Sequence, residues 1–354
     1  MKIAFTYNLK PSGLLQNGEA EKYAEFDTPE TINAIVEAIK ANGFEVLPVE
    51  ANLDTFETLR KHRDEIDLLF NFAEAVTITA KDREAHIPII AEMLQIPYSG
   101  PTPFTAALRL NKFRTKEIWN YYGVPTPEFD VLFSPEDKLS KKLEYPLIVK
   151  ANGQGSSSGI RNKSVVHNDE ELYAEAKVLF EEFKGEPVLV ERFLEGREFT
   201  VPVLGNGDDL MVLPIVEANF AVLPPEANKI DSYEAKWIWD NPEHPVKSTI
   251  CPAEVSDELK KEIEDLAKKA FLSIGCRDWG RVDMRMDKDG KLYALEINSP
   301  VGLLPKPEDN SKLPTSARAL GWSFEELVGR IVRIAIKRLG LLEKLEDKPK
   351  IESY

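Results

Sequence analysis

The chain has 354 residues, 43% hydrophobic and 30% charged, which is too long for one simple core and suits a water-soluble fold of two or three packed subdomains. A formal net charge of −15 argues against a protein that wraps nucleic acid, and no apolar run is long enough to cross a bilayer. Two cysteines, Cys251 and Cys276, argue against a disulfide framework or a thiolate metal site and fit a reducing cytoplasm.

The opening "KIAFTYN" reads as a strand rather than a signal sequence, since it ends at a polar loop with no small-residue cleavage site. A helix follows over "DTPETINAIVEAIKANG", with Asp27 or Thr28 as N-cap, Pro29 in the first turn and Gly43 at the end. "FEVLPVE", a helix around "TFETLRKHR" and "DLLFNFAE" continue the alternation, and "EAHIPIIAEMLQIPYSGP" adds a helix and a strand. This βαβα rhythm with short connections predicts a doubly wound, Rossmann-like α/β domain over residues 1–104. From about Pro103 one helical stretch, "PFTAALRLNKFRTKEIWNYYG", leads into strands with Gly-rich turns and few crossover helices, hence α+β construction. The predicted units are a central domain over 105–188, a C-terminal domain over 189–345 and a charged tail over 346–354. The C-terminal unit should hold a long helix over "SDELKKEIEDLAKKAFLSIG", a hairpin from Gly280 to about Asn298, and a last helix over "SFEELVGRIVRIAIKRLG".

In that hairpin "DKDG", residues 287–290, reads as a four-residue loop pairing Met286 with Lys291 and Arg281 with Glu296. Val282, Met284, Met286, Tyr293, Leu295 and Ile297 then share a core face, while Arg281, Asp283, Arg285, Glu296 and Asn298 share the other. Asp283 falls diagonally across from Glu296, within side-chain reach. Two carboxylates and an amide oxygen form a hard ligand set of the kind that holds Mg²⁺ beside phosphate oxygens; a solvated face of surface ion pairs is the alternative. Upstream, "PLIVKANGQGSSSGI" is a strand ending in Lys150, followed by three Gly and three Ser within residues 153–159. Such a loop either cradles phosphate beside the Lys150 charge or is a mobile hairpin turn; because the Lys precedes the glycines it is no Walker motif. His62, His86, His167 and His244 lack metal-like spacing and read as structural or surface residues.

Taken in order, these stretches resemble the ATP-grasp superfamily and, within it, the D-alanine–D-alanine ligases and their relatives. The resemblance implies an ATP-grasp fold in which the Rossmann-like unit precedes the two ATP-grasp halves. It implies ATP as cofactor, with Lys112 and Lys150 on the phosphates and Ser156 and Ser157 in a covering loop. In "VLVERFLEGREFTV" it puts Glu191, Arg192, Phe193 and Leu194 at the adenine and Glu198 at the ribose. Lys236 of "SYEAKWIW" would reach the phosphates from a lid near 225–245, and would serve catalysis with Ser156 and with Arg281, placed for a developing oxyanion. Asp283, Glu296 and Asn298 would hold Mg²⁺ or Mn²⁺. The implied chemistry is attack of a carboxylate on the γ-phosphate to give an acylphosphate, from which an amine displaces phosphate.

Departures gather where substrate is read. The family's "HG…GEDG" signature is absent, and "FNFAEAVTITAKDREAHIP" stands there with Glu74, Lys81, Arg83 and Glu84. Glu25 is the nearest counterpart of the N-terminal acid, and "LLPKP" replaces a small polar stretch, leaving Gly302 and Lys306 as candidate contacts. The expected substrates are amino acids or small peptides, with no nucleic-acid or membrane partner and, by analogy, a homodimer. A ligase for a larger peptide or carrier acceptor, and a non-catalytic ATP-binding regulatory homologue, are the alternatives.

Overall fold

The computed structural model describes residues 1–11, 23–225, 227–230, 232 and 248–346. The chain begins with β1 (Lys2–Tyr7), α1 (Pro29–Ala41), β2 (Glu45–Glu50), α2 (Thr55–Lys61), β3 (Leu68–Asn71) and α3 (His86–Met93). The three strands form a parallel sheet in the order β2-β1-β3, the arrangement that helix crossovers produce. Thr28 is the cap of α1: its hydroxyl accepts from the Thr31 amide, and Ile32, Ile35, Val36 and Ile39 turn to the core. The strand expected before Gly100 shrinks to a single bridge between Leu69 and Tyr98. Pro97 supplies a carbonyl to Leu69 but has no N–H to extend the ladder.

The helical stretch after Pro103 divides into α4 (Pro103–Leu110) and α5 (Lys112–Tyr121). Asn111 causes the break: its backbone is extended and its side chain caps the Arg114 amide. Next come β4 (Phe129–Leu132), β5 (Leu147–Ala151), β6 (Val165–Val166), α6 (Asp169–Glu182) and β7 (Val188–Arg192). Their strands make an antiparallel sheet in the order β4-β7-β5-β6, with Leu172, Ala176 and Leu179 of α6 packed against it.

A third sheet uses β8 (Glu198–Gly205), β9 (Met211–Val212), β10 (Val216–Ala218), β11 (Thr249–Ile250), β12 (Asp278–Met286) and β13 (Leu292–Asn298). Its order is β11-β10-β8-β12-β13, with β9 on β8, and it is covered by α7 (Asp257–Ser273) through Ile263, Ala267, Ala270 and Phe271. Three helices follow, α8 (Lys312–Ala319), α9 (Phe324–Arg338) and the short α10 (Glu343–Glu346). Sequence reading did not anticipate α8, because "LPKPEDNSKLP" looks like a breaker; Pro314 falls in its first turn, where no amide is needed. A capping box of Ser323 and Glu326 starts α9, whose Leu327, Ile331 and Ala335 join Ile3, Phe5 and Trp279 in one core. The first sheet is thereby fixed to the third. The buried Asp278 carboxylate reinforces this joint, pairing with Arg338 at 2.6 Å and accepting from the Gly100 amide at 2.8 Å.

The hairpin register differs from the expectation. Met286 opposes Leu292, Arg285 opposes Tyr293 and Met284 opposes Ala294; then Leu295 bulges, and Asp283 opposes Glu296, Val282 opposes Ile297 and Arg281 opposes Asn298. The Asp287 carboxylate accepts from the Asp289 and Lys291 amides, which lengthens the turn by one residue beyond "DKDG". The bulge adds the second shift. Leu292 and Ala294 consequently take the core places expected for Tyr293 and Leu295. Leu295 instead lines a pocket, and Tyr293 lies beneath the Arg192 guanidinium, 5.2 Å away.

Candidate active site

The bulge places two carboxylates face to face. Asp283 on β12 lies directly across from Glu296 on β13, closer than the diagonal the simple hairpin gave. The Thr200 hydroxyl donates to Asp283 Oδ1 at 2.6 Å from the neighbouring β8. Arg281 Nε lies 3.2 Å from Asp283 Oδ2, and Asn298 Nδ2 donates to the same oxygen at 3.2 Å. Lys112 Nζ sits 3.6 Å from Glu296. Asp283 and Glu296 offer carboxylate oxygens and Asn298 an amide oxygen on one face of the hairpin, a donor set whose chemistry fits a hard divalent cation.

Beside this cluster opens a pocket of about 880 Å³ of empty volume, its mouth included, lined from both antiparallel sheets. Glu191 on β7 forms the floor with Lys150 on β5, 2.6 Å away, and also pairs with Lys116 on α5, 2.7 Å away. Glu191 and Lys116 are 0% exposed. Burial pushes the Glu191 pKa up, but the two ammoniums outweigh it and hold the carboxyl below its ordinary range. Burial depresses Lys150, but Glu191, Glu296 and Glu198 together outweigh it and raise the ammonium's pKa, so its charge is secured. One carboxylate thus serves two cations. Glu198 accepts from Arg285 at 2.8 Å, and that guanidinium stacks on Phe193 at 5.0 Å. Arg192 and Leu194 complete this wall.

The loop over the pocket is held at its stem. Glu186 accepts from the Gly153 amide at 3.0 Å and from Gln154 Nε2 at 2.5 Å, and Lys112 donates to the Gln154 carbonyl. Ser156 and Ser157 have φ of 50° and 62°, a left-handed conformation that costs a non-glycine residue about 1–3 kcal/mol and turns the loop sharply over the pocket.

A second cavity, about 1650 Å³ with its open mouth, lies between this site and the first sheet. Ser156, Arg281 and Lys312 line both cavities. On its far wall Glu25 pairs with Arg83 at 2.7 Å, and the buried Glu84 pairs with the buried Arg109. Burial, reinforced by Glu25, pushes Glu74 up to about 8; burial pushes Asp27 up to about 7 against the pull of Lys10. Gly302 and Lys306 line the near side, Lys306 pairing with Glu30 at 2.8 Å.

The structure therefore brings together Lys112, Lys150, Ser156, Ser157, Glu191, Arg192, Phe193, Leu194, Glu198, Arg281, Asp283 and Glu296 around one pocket. Asn298, Glu25, Glu74, Gly302 and Lys306 belong to the adjoining cavity. Lys236, with its Trp neighbours and His244, lies outside the described residues. Sequence reading missed Lys116, Thr200 and Arg109. Lys116 stands four residues after Lys112 on one helix face, and Thr200 two residues after Glu198 on one strand face, so spacing alone carried a signal for both. His86, as expected, is structural: its Nδ1 accepts from the Val76 amide.

Two antiparallel sheets gripping a pocket of lysines, a serine-glycine loop and paired carboxylates define an ATP-grasp enzyme. The family model described as D-ala D-ala ligase C-terminus matches residues 118–333. A D-alanine–D-alanine ligase of Bordetella petrii is 35% identical over 68% of this chain and 68% of its own length. That of Pelotomaculum thermopropionicum is 30% identical over 94% of this chain and 98% of its own. The structure of the Bacillus anthracis D-alanine–D-alanine ligase complexed with ATP aligns at a TM-score of 0.70 and 23% identity, covering 98% of this chain and 99% of that one. VanG D-Ala:D-Ser ligase from Enterococcus faecalis aligns at 0.70 and 21%, covering 94% and 99%. The chain belongs to the D-alanine–D-alanine ligase family. It is an ATP-dependent, ADP-forming ligase that joins a carboxylate to an amine. Among the described residues no helix is long and apolar enough to cross a membrane.

Proposed function

We propose that this ligase joins D-alanine, as carboxylate donor, to the amine of a second small D-amino acid, using ATP and Mg²⁺ or Mn²⁺. The observation that carries the reading is the shared wall: Ser156, Arg281 and Lys312 belong to both the nucleotide-side pocket and the wide cavity. A carboxylate entering from the cavity meets a γ-phosphate entering from the pocket at those three side chains.

Lys112 and Lys150 hold positive charge on the nucleotide side, which favours a triphosphate and the charge that spreads over its oxygens during transfer. Asp283, Glu296 and Asn298 would hold the divalent ion, which when bound neutralises phosphate oxygens. Arg281 is aimed at the junction, where a tetrahedral oxyanion forms as the amine attacks the acylphosphate. The Ser156–Ser157 turn covers that junction and limits water, which would hydrolyse the acylphosphate. The same reading divides the chain near 104 and, because β7 (Val188–Arg192) pairs with β4 and β5, after 192 rather than at the expected 188, with a tail from 346. It also carries a cytoplasmic location and a homodimer, the latter tested directly by sedimentation.

A longer acceptor is the second reading, favoured by the width of the cavity and by Pro305 on its rim, in the "LLPKP" stretch that departs from the small polar one the resemblance implies. The test is Mg²⁺-dependent ADP release from ATP across D- and L-amino acids and short peptides, with product masses read in parallel. D-alanine is expected to yield ADP and a dipeptide mass. ADP release with peptides alone would transfer the reaction to the longer acceptor and overturn the first reading.

A further inference from the structure

We propose that Arg83 is a positioning residue that ties the phosphate-side loop to Glu25, so that the amino-acid cavity and the nucleotide pocket are set by one shared contact. The inference rests on the nucleotide reading of the pocket. Arg83 comes from the stretch that replaces the family's first-domain signature, and it is only 4% exposed. Its guanidinium makes two bonds in different directions. One nitrogen pairs with Glu25 Oε2 at 2.7 Å, and the other donates to the Gly153 carbonyl at 3.0 Å, at the start of the loop. A planar fork can hold both acceptors at once, whereas a lysine ammonium on a flexible stem holds them less firmly.

Glu25 touches the loop a second time. A Cβ added to Gly155 would stand 1.8 Å from Glu25 Oε1, so the bare glycine leaves the room in which the carboxylate lies against the loop backbone. On the loop's opposite side Glu186 holds Gly153 and Gln154, and Lys112 holds the Gln154 carbonyl. Lys112 in turn stands beside Glu296. The loop stem is therefore clamped between the ATP-grasp side, through Glu186 and Lys112, and the first sheet's side, through Arg83 and Glu25. Glu25 lines the wide cavity, while Gln154, Gly155 and Ser156 line the nucleotide pocket. Removing the Arg83 fork releases the first-sheet half of the clamp without touching any group that lines the nucleotide pocket.

The test is calorimetric binding of AMP-PNP with Mg²⁺ to the full-length protein and to the variants Arg83→Met, Arg83→Lys, Glu25→Gln and the Arg83→Met/Glu25→Gln double, with melting temperatures recorded alongside. Arg83→Met is expected to weaken AMP-PNP about tenfold, and Glu25→Gln to weaken it as well although Glu25 lies outside that pocket. The double variant should be no weaker than Arg83→Met, because the two side chains act as one unit, and Arg83→Lys should fall between. A merely structural residue would lower the melting temperature and leave the nucleotide affinity unchanged. Binding within twofold of wild type in Arg83→Met, or fully additive losses in the double, overturns the proposal. Should Arg83→Met not fold, Glu25→Gln decides: wild-type affinity there overturns it. A wild-type protein that binds no AMP-PNP would instead overturn the nucleotide reading itself, and with it the clamp.

Discussion

Replacing Glu191 by Gln removes the carboxylate that pairs with both Lys116 and Lys150, at 2.7 and 2.6 Å. Glutamine keeps the shape but leaves two ammoniums, one of them fully buried, without their counter-charge. Removing one partner of a buried pair costs about 3–5 kcal/mol, a large share of the roughly 5–15 kcal/mol that stabilises a folded protein. At about 2–4 °C per kcal/mol for a large domain, the melting temperature should fall by about 6–20 °C. Adding Lys116→Met should return part of that loss, since one uncompensated buried charge disappears. The pH dependence follows from the direction of the shift. The folded carboxyl titrates below its unfolded value of about 4.3, so the stabilisation is present above that pH and is lost as pH falls through the folded value. The acid limb of the wild-type stability curve should therefore flatten in Glu191→Gln. Thermal denaturation followed by circular dichroism between pH 3 and 8 measures both effects. A change of less than about 2 °C at pH 7 would refute the reasoning, because a cost that small belongs to a solvated pair.

Three further outcomes are expected. Glu296→Gln should lower Mg²⁺-dependent ADP formation by about a thousandfold while shifting the melting temperature by only a few degrees, since the side chain is 34% exposed; steady-state rates with a Mg²⁺ titration check this. Gly280→Ala should destabilise by about 1–3 kcal/mol, because the new Cβ would stand 2.8 Å from the Asn298 carbonyl and 2.9 Å from the Phe271 ring; urea unfolding reads the cost, and wild-type midpoints would contradict it. Glu74, raised to about 8, binds its proton in the folded state over a range where the unfolded chain has lost it. Stability should therefore decline from about pH 5 to 8, by at most about 1.4 kcal/mol per unit, and Glu74→Gln should level that slope in denaturant titrations.

Much of the fold was legible because the period of the apolar residues settled strand against helix for most elements, as in α1 and α7. What was not legible depended on single residues overriding their neighbours. Asn111 split one helix into two through its own capping bond, and Leu295 bulged out of a run that alternates regularly on paper. Of the site, residues two apart on a strand were readable, as Asp283 with Arg281 and Glu296 with Asn298 show. Groups that meet only in space, such as Lys116 with Glu191 or Arg83 with Gly153, leave no local pattern, because their partners lie far along the chain. The wide cavity was hardest to read, since its acids and bases come from the first sheet's loops and from the segment after β13.

The central claim is transfer of a substrate carboxylate oxygen to phosphate through an acylphosphate. D-alanine labelled with ¹⁸O in its carboxylate, incubated with ATP and Mg²⁺, tests it when the released inorganic phosphate is analysed by mass spectrometry. One labelled oxygen per phosphate, formed in step with the dipeptide, is the predicted result. Dipeptide accompanied by unlabelled phosphate would contradict it.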